Sequence, residues 1–192
     1  MRNSIRNGMI LVAIMAGSTA ASAKTYAIDT SHAEVGFSIR HMGISNVRGS
    51  FKTFSGSITY DGSDITGLKA DAEIEVVSID TGNKKRDEHL RGLDFFDSAK
   101  FAKITFSSSG IKKSKDDYLL KGKLSMHGVT KEVSLPVVIS GPIDDPYGNK
   151  RIGLELSGIL KRHDFGIGDG GATDKLIGKD VKLDINLEGI SK

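Results

Sequence analysis

Apolar and polar side chains alternate with a period of two along most of this chain, and no other feature constrains its fold as tightly. Near the end, Val181, Leu183, Ile185 and Leu187 share one parity while Lys182, Asp184, Asn186 and Glu188 share the other. Successive side chains of a strand point to opposite faces, so such a run is a strand with one dry face and one wet face. Ile152, Leu154 and Leu156 alternate with Gly153, Glu155 and Ser157 in the same way, as do Val35, Phe37 and Ile39 with Glu34, Gly36, Ser38 and Arg40. The pattern predicts about eight strands, near residues 26–40, 46–60, 67–79, 101–111, 117–126, 130–140, 150–160 and 180–190.

Turn chemistry separates these runs. Asp61-Gly62, Gly141-Pro142 and Asp145-Pro146-Tyr147-Gly148-Asn149 combine glycine, which accepts positive φ, with proline, which fixes φ. His127-Gly128 reads as a tight hairpin link. The segment NKKRDEHLRG, residues 83–92, has helix formers, no β-branched residue and a glycine stop, and predicts one short helix after strand three. Strands with one dry face must stack or close, and closure removes exposed edges. The expected fold class is therefore all-β, an eight-stranded antiparallel barrel with its dry faces inward. At that strand number the interior is either filled by side chains or holds one small ligand.

Residues 1–23 stand apart from this pattern. Arg2 and Arg6 precede an apolar run from Met9 to Ala16, and Ala21-Ser22-Ala23 forms a small-x-small cleavage signal. The run is far shorter than the roughly 20 residues of a spanning helix. A signal peptide cleaved after Ala23 is expected, with residues 24–192 forming one domain in the periplasm. Without Arg2 and Arg6 the 27 basic residues fall to 25 against 24 acids, so the balance gives little reason to expect a nucleic-acid partner. The chain has no cysteine, which excludes disulfides, a lipid-modified cysteine, thiolate metal sites and a cysteine nucleophile.

Several motifs imitate chemistry without its context. GIGDGG, residues 166–171, matches G-x-G-x-x-G, but no strand-to-helix unit surrounds it to aim a helix N-terminus at a pyrophosphate. It reads as part of a long connection from Lys161 to Lys179, of the kind that serves as a lid or binding loop. Asp164, Asp169 and Asp174 lack the alternating ligand positions of a calcium loop and read as solvated carboxylates. His32, His41, His89, His127 and His163 follow no zinc-binding spacing, and no G-x-S-x-G elbow is present, so neither a metal nor a catalytic residue is expected. In RDEHLRGLDFFD, residues 86–97, the charged face is expected in solvent, with Leu90, Leu93, Phe95 and Phe96 closing one barrel end.

Four blocks in register, YAIDTSHAEVGFSIRHMGISNVRGSFKTFSG, SIDTGNKKRDEHLRGLDFFDSAKFAKITFSSSGI, YLLKGKLSMHGVTKEVSLPV and GILKRHDFGIG, resemble the YceI-like family of bacterial periplasmic proteins. The resemblance implies an extended lipocalin-like barrel. Its long apolar cavity would hold polyisoprenoid or other long-chain amphiphilic ligands, without enzymatic activity. Tyr26, Ser125-Met126 and Ala102 depart from the family's usual residues, and Met126 is flexible enough to reshape a cavity wall.

The expected lining is Phe37, Ile39, Phe51, Ile74, Val76, Ile104, Phe106, Leu120, Leu124, Met126, Leu135, Leu154 and Leu156. HMGISNVRGSF, residues 41–51, reads as a barrel corner permitted by Gly43 and Gly49. His41 shares the parity of Val35, Phe37 and Ile39 and should point inward, toward either a ligand's polar end or a buried backbone group. Arg162 shares the parity of Leu154, Leu156 and Leu160, and is expected to contact a head group or to pair with the region of Asp87.

The expected function is a periplasmic binding or carrier protein for an isoprenoid, quinone tail or fatty chain, with no other cofactor. Transient contact with a membrane surface and a homodimer are compatible with that role. At about 0.8 kcal/mol per buried methylene, about 15 methylene equivalents gain on the order of 12 kcal/mol. Association costs roughly 4 to 15 kcal/mol, so only long chains bind well. Two other readings stay open: a small outer-membrane barrel with its apolar faces outward, and an enzyme acting on a bound lipid through the histidines.

Overall fold

A computed structural model describes residues 23–115, 117–171 and 173–191. The expected signal segment lies outside the described residues save for Ala23. The strands are β1 (Lys24–Ile28), β2 (Glu34–His41), β3 (Ser45–Phe51), β4 (Phe54–Tyr60), β5 (Lys69–Glu75), β6 (Ile79–Asp80), β7 (Lys103–Ser114), β8 (Asp117–Met126), β9 (Val129–Asp144), β10 (Lys150–Lys161) and β11 (Ile177–Ser191). Among the described residues two α-helices accompany them, α1 (Lys84–Arg91) and the single-turn α2 (Thr173–Leu176).

Eight strands close an antiparallel ring in the order β1-β4-β5-β7-β8-β9-β10-β11, and β1 pairs back onto β11. β2, β3 and β6 extend one side of the same sheet beyond β11. The first three expected strands are each present but broken in two. Asp29 interrupts the first: its carboxylate accepts from the Ser31 amide at 3.1 Å and starts a 3₁₀ turn over Thr30–His32. Such short side-chain caps compete with strand pairing. The second breaks between Phe51 and Phe54, and the third at a 3₁₀ turn over Val76–Ser78. The two breaks are tied together, Lys52 N donating to Ser78 O and Glu75 N to Thr53 O. Gly141-Pro142 does not end a strand as expected, because β9 continues to Asp144 with a register shift opposite Arg151–Gly153.

The inner wall follows from register. Leu154, Leu156 and Leu160 face Leu187, Ile185 and Val181 across β10 and β11. Ile185, Leu183 and Val181 in turn face Val35, Phe37 and Ile39 of β2. These pairs are all apolar, whereas Lys182 and Asp184 on the other face are exposed. Charges outside and aliphatics inside are the reverse of an outer-membrane barrel.

The link expected to be tight at His127-Gly128 is so, and the expected corner at residues 41–51 is a tight hairpin of the same kind. His127 (φ 53°) and Gly128 (φ 77°) adopt left-handed backbone between β8 and β9, as Met42 (φ 50°) and Gly43 (φ 74°) do between β2 and β3. Paired left-handed residues match the twist of the flanking strands. Gly49 has a different reason from the one expected, since a Cβ there would lie 2.6 Å from Cζ of Phe37, whose ring covers it.

At one end of the barrel Tyr26, Ile58, Leu68, Ile111, Leu120, Ile152 and Leu154 form a tightly packed cluster. Nearby, Arg151 ties the seam where the ring closes. Its Nη1 donates to Asp29 at 3.0 Å and to Glu188, and its Nε to Asp145 at 2.9 Å. Hydrogen bonds from His32 and then Arg151 hold the Asp29 carboxyl far below the usual range, and those from Asn149 and Arg151 do the same for Asp145. Because both folded-state values are depressed, their stabilising contribution is complete above the unfolded value of about 3.9 and disappears as pH falls below it. Denaturant titrations are therefore expected to show stability dropping below about pH 4. Arg151→Ala should lower stability at neutral pH and flatten that acid limb.

Candidate functional site

The other half of the barrel is hollow. A chamber of about 380 Å³ opens toward solvent at this end, and a narrower one of about 140 Å³ lies deeper. The outer chamber alone is within the size range of small-molecule sites. Phe37, Phe51, Met126, Leu160 and Leu183 line both and form a waist between them. The inner chamber is walled almost wholly by aliphatic and aromatic side chains, with Ser57 and Asp71 its polar neighbours. It ends against the packed cluster around Tyr26, Leu68, Ile111 and Ile152, so the two chambers form one blind channel.

Three segments frame the mouth: the β2–β3 hairpin, α1 with the loop that follows it, and the connection between β10 and β11. Helix α1 begins where Asn83 accepts from the Arg86 amide at 3.1 Å. Its charged face is not simply solvated as expected. Asp87 is buried and accepts from Thr81 N at 2.9 Å and Thr81 Oγ1 at 2.5 Å, while Arg91 donates to the carbonyls of Val77 and Ile79. These bonds satisfy the backbone around the short β6, beyond which α1 stands in place of a further strand. Leu90, Phe95 and Phe96, expected to close one barrel end, line the outer chamber at its mouth, and Phe96 meets Phe51 edge-on at 6.0 Å. Leu93 is 82% exposed and takes no part in closing the barrel, because the chain turns outward after Gly92.

The connection from β10 to β11 is ordered by one buried arginine. Arg162, 3% exposed, donates from Nε to Gly178 O (2.9 Å), from Nη1 to Ile167 O (3.0 Å) and Gly168 O, and from Nη2 to Asp174 (2.6 Å) and Ile177 O (3.4 Å). All five donors of the guanidinium are engaged. Arg162 does border the outer chamber, but the expectation of a head-group contact is corrected: it is a clamp folding the connection over the mouth, and its carboxylate partner is Asp174 rather than Asp87. Asp174 is accordingly no solvated loop carboxylate. Hydrogen bonds from Arg162 and then His163 hold it below the usual carboxylate range. On the far side, the Phe165 carbonyl accepts from His127 Nδ1 at 3.0 Å, which fixes the proton on that nitrogen. Gly166 (φ 65°) and Gly168 (φ 57°) turn the backbone so that these carbonyls point inward, which is what the glycines of GIGDGG do here.

Of the expected lining, Phe37, Ile39, His41, Phe51 and Met126 border the outer chamber. Ile74, Ile104, Phe106, Leu120, Leu124, Leu135, Leu154 and Leu156 border the inner one, which Phe37, Phe51 and Met126 share. Val76 borders neither. It has the parity of Ile74, but its residue begins the 3₁₀ turn, which rotates the side chain into solid packing. Residues not expected in the lining include Val47, Leu160, Val181, Leu183, Ile185 and Leu187, all marked by the same alternation, and Ile167, Leu176 and Ile177. Nothing in an irregular, glycine-rich stretch marked the last three.

Ser57 and Asp71 apart, the polar residues of the lining are at the mouth, where His41, Thr81, Arg86, His89, Arg162 and Thr173 border the outer chamber. Thr81 and Arg86 bond each other, Nε to Oγ1 at 2.7 Å, and His89 lies 3.4 Å from Asp94. His41 has no hydrogen-bond partner for its ring among the described residues. Two clusters gather potential metal ligands, Asp29/His32/Glu188 and His163/Asp169/Asp174. In each, carboxylates already neutralise an arginine, Arg151 or Arg162.

A model of the YceI-like domain matches residues 26–189. Protein YceI of Escherichia coli O17:K52:H18 is 38% identical over 188 residues, 96% of each chain. The crystal structure of the Campylobacter jejuni YCEI protein is 34% identical and superposes with a TM-score of 0.71 over 80% of this chain and 90% of that one. A polyisoprenoid binding domain from Saccharophagus degradans, implicated in plant cell wall breakdown, shares the fold with a TM-score of 0.66 at 19% identity, covering 87% and 98%.

Arg162→Ala should release the connection while leaving the ring intact. Each carbonyl stranded away from water costs roughly 1–3 kcal/mol. Hydrogen exchange at residues 166–178 is expected to accelerate strongly, with β8 and β9 still protected, and Arg162→Lys should not restore protection because an ammonium has only three donors.

Proposed function

The chain belongs to the YceI-like family, and from that membership and the blind apolar channel we propose that it is a periplasmic carrier holding one long-chain isoprenoid or similar amphiphilic lipid, tail inward. The observation that carries this reading is the gradient along the channel: polar groups at the mouth, a waist of Phe37, Phe51, Met126, Leu160 and Leu183, and an aliphatic inner chamber. Such a cavity is complementary to a molecule with a polar end and a narrow tail. Tail atoms beyond the waist add about 0.8 kcal/mol per methylene, which is how a long chain overcomes the 4–15 kcal/mol cost of association. The polyisoprenoid binding domain that shares this fold supports the ligand class, and a quinone tail or fatty chain meets the same requirements.

His41 is the head-group contact in this reading, because its ring borders the outer chamber without a protein partner among the described residues. The same feature argues for binding rather than catalysis, since a general base is ordinarily oriented by a further hydrogen-bonded group. Residues 1–23 have the pattern of an export signal, which supports the periplasm.

Organic extraction of protein purified without detergent, followed by mass spectrometry, is expected to yield a long-chain lipid. Leu183→Trp, at the waist, should weaken binding of a long polyprenol at least about tenfold while sparing a ligand short enough for the outer chamber, since losing two buried methylenes already costs about that factor. A protein that arrives empty and takes up no long-chain lipid overturns the proposal.

A further inference from the structure

We infer that the tip of the β2–β3 hairpin together with α2 is a docking surface for a bilayer containing anionic phospholipid. Three apolar side chains stand out from the protein there: Ile44 is 81% exposed, Met42 56% and Leu176 47%. They form one patch, because Met42 N donates to Leu176 O at 2.6 Å and Ile44 N closes the hairpin onto His41 O at 3.1 Å. The left-handed backbone at Met42 and Gly43 makes the tip a tight projection.

Cations surround the tip. The stretches RHMGISNVR, residues 40–48, and KLIGK, residues 175–179, hold Arg40, Arg48, Lys175 and Lys179 and not one carboxylate. All four are exposed, and none forms an ion pair among the described residues. Arg40 reaches only the Asn46 amide oxygen, at 3.4 Å. Of the acids that flank these two stretches in sequence, Asp174 is held by Arg162 and His163 and Asp180 is exposed, one carboxylate against four cations that have no ion pair among the described residues. A small apolar projection ringed by basic side chains suits the headgroup boundary, where aliphatic groups sink and cations meet phosphate.

The patch is also continuous with the mouth: His41 and Val47 of the same hairpin, and Leu176 and Ile177 beside it, border the outer chamber. Docking through the tip therefore turns the mouth toward the membrane, and a tail can pass between bilayer and channel with little contact with water. That use of the surface rests on the carrier reading; the docking itself does not.

The test is co-sedimentation of the full chain with phosphatidylcholine vesicles, with and without phosphatidylglycerol. Binding is expected only where phosphatidylglycerol is present, and it should weaken as salt rises. Ile44→Asp should reduce it at least about tenfold, and so should the pair Arg48→Glu and Lys179→Glu, at roughly fivefold or more for each cation lost. Thermal melts should stay as in the parent protein, since these side chains are exposed. The proposal is overturned by failure of the parent to bind phosphatidylglycerol vesicles, by equal binding to neutral vesicles, or by binding that Ile44→Asp leaves unchanged. A concentration-dependent dimer abolished by Ile44→Asp, without vesicle binding, would assign the patch to a second copy instead. Uptake of a fluorescent farnesol analogue from solution separates the two readings: Ile44→Asp should retain it, and a parent protein without uptake would defeat the carrier reading while vesicle binding is judged on its own.

Discussion

Pairing of Ala27 and Ile28 with Ile190 and Gly189 turns a strip of sheet into a ring, and the channel exists only because that ring is closed. An open sheet of these strands would expose an aliphatic face to water and unpaired edges to its neighbours. Closure converts the same face into an interior, and at eight strands that interior is wider than side chains must fill. The chain fills one half, with Tyr26, Leu68 and Ile152, and leaves the other hollow. Arg151 secures the place where the closing contact is shortest, drawing Asp29, Asp145 and Glu188 from three parts of the chain to one guanidinium.

The barrel was legible because parity is a local property. Each run such as Val181-Lys182-Leu183-Asp184 declares its inner face without reference to any partner, and the structure sets that face beside those of β10 on one side and β2 on the other. The resemblance supplied what parity could not, namely that the interior is hollow. Interruptions were harder to read. Nothing about Val76 distinguishes it from Ile74 until the 3₁₀ turn ends the strand between them. Leu93 looks like part of the apolar end of α1, yet the turn after Gly92 points it outward. Arg162 was placed correctly by its alternation with Leu154, Leu156 and Leu160, but its partners are mainly main-chain carbonyls, which carry no residue identity to search for.

Arg162 also explains how a glycine-rich, largely irregular stretch serves as the rim of a cavity. Left-handed glycines aim carbonyl oxygens inward where water does not reach, and a guanidinium with five fixed donors collects them. The rim is thus built from backbone polarity neutralised by one side chain. Its apolar side chains, Ile167, Leu176 and Ile177, remain available to border the chamber.

The packed end around Tyr26, Leu68, Ile111 and Ile152 gives the channel a single door. A guest in such a tunnel must back out along the path by which it came, so a second cannot push it through, and replacement is strictly sequential. Departure requires withdrawing the whole tail past the waist, whereas arrival can begin with its tip alone. In the carrier reading, residence time is therefore expected to lengthen with tail length far more steeply than capture slows, with selection among guests exercised chiefly on the way out.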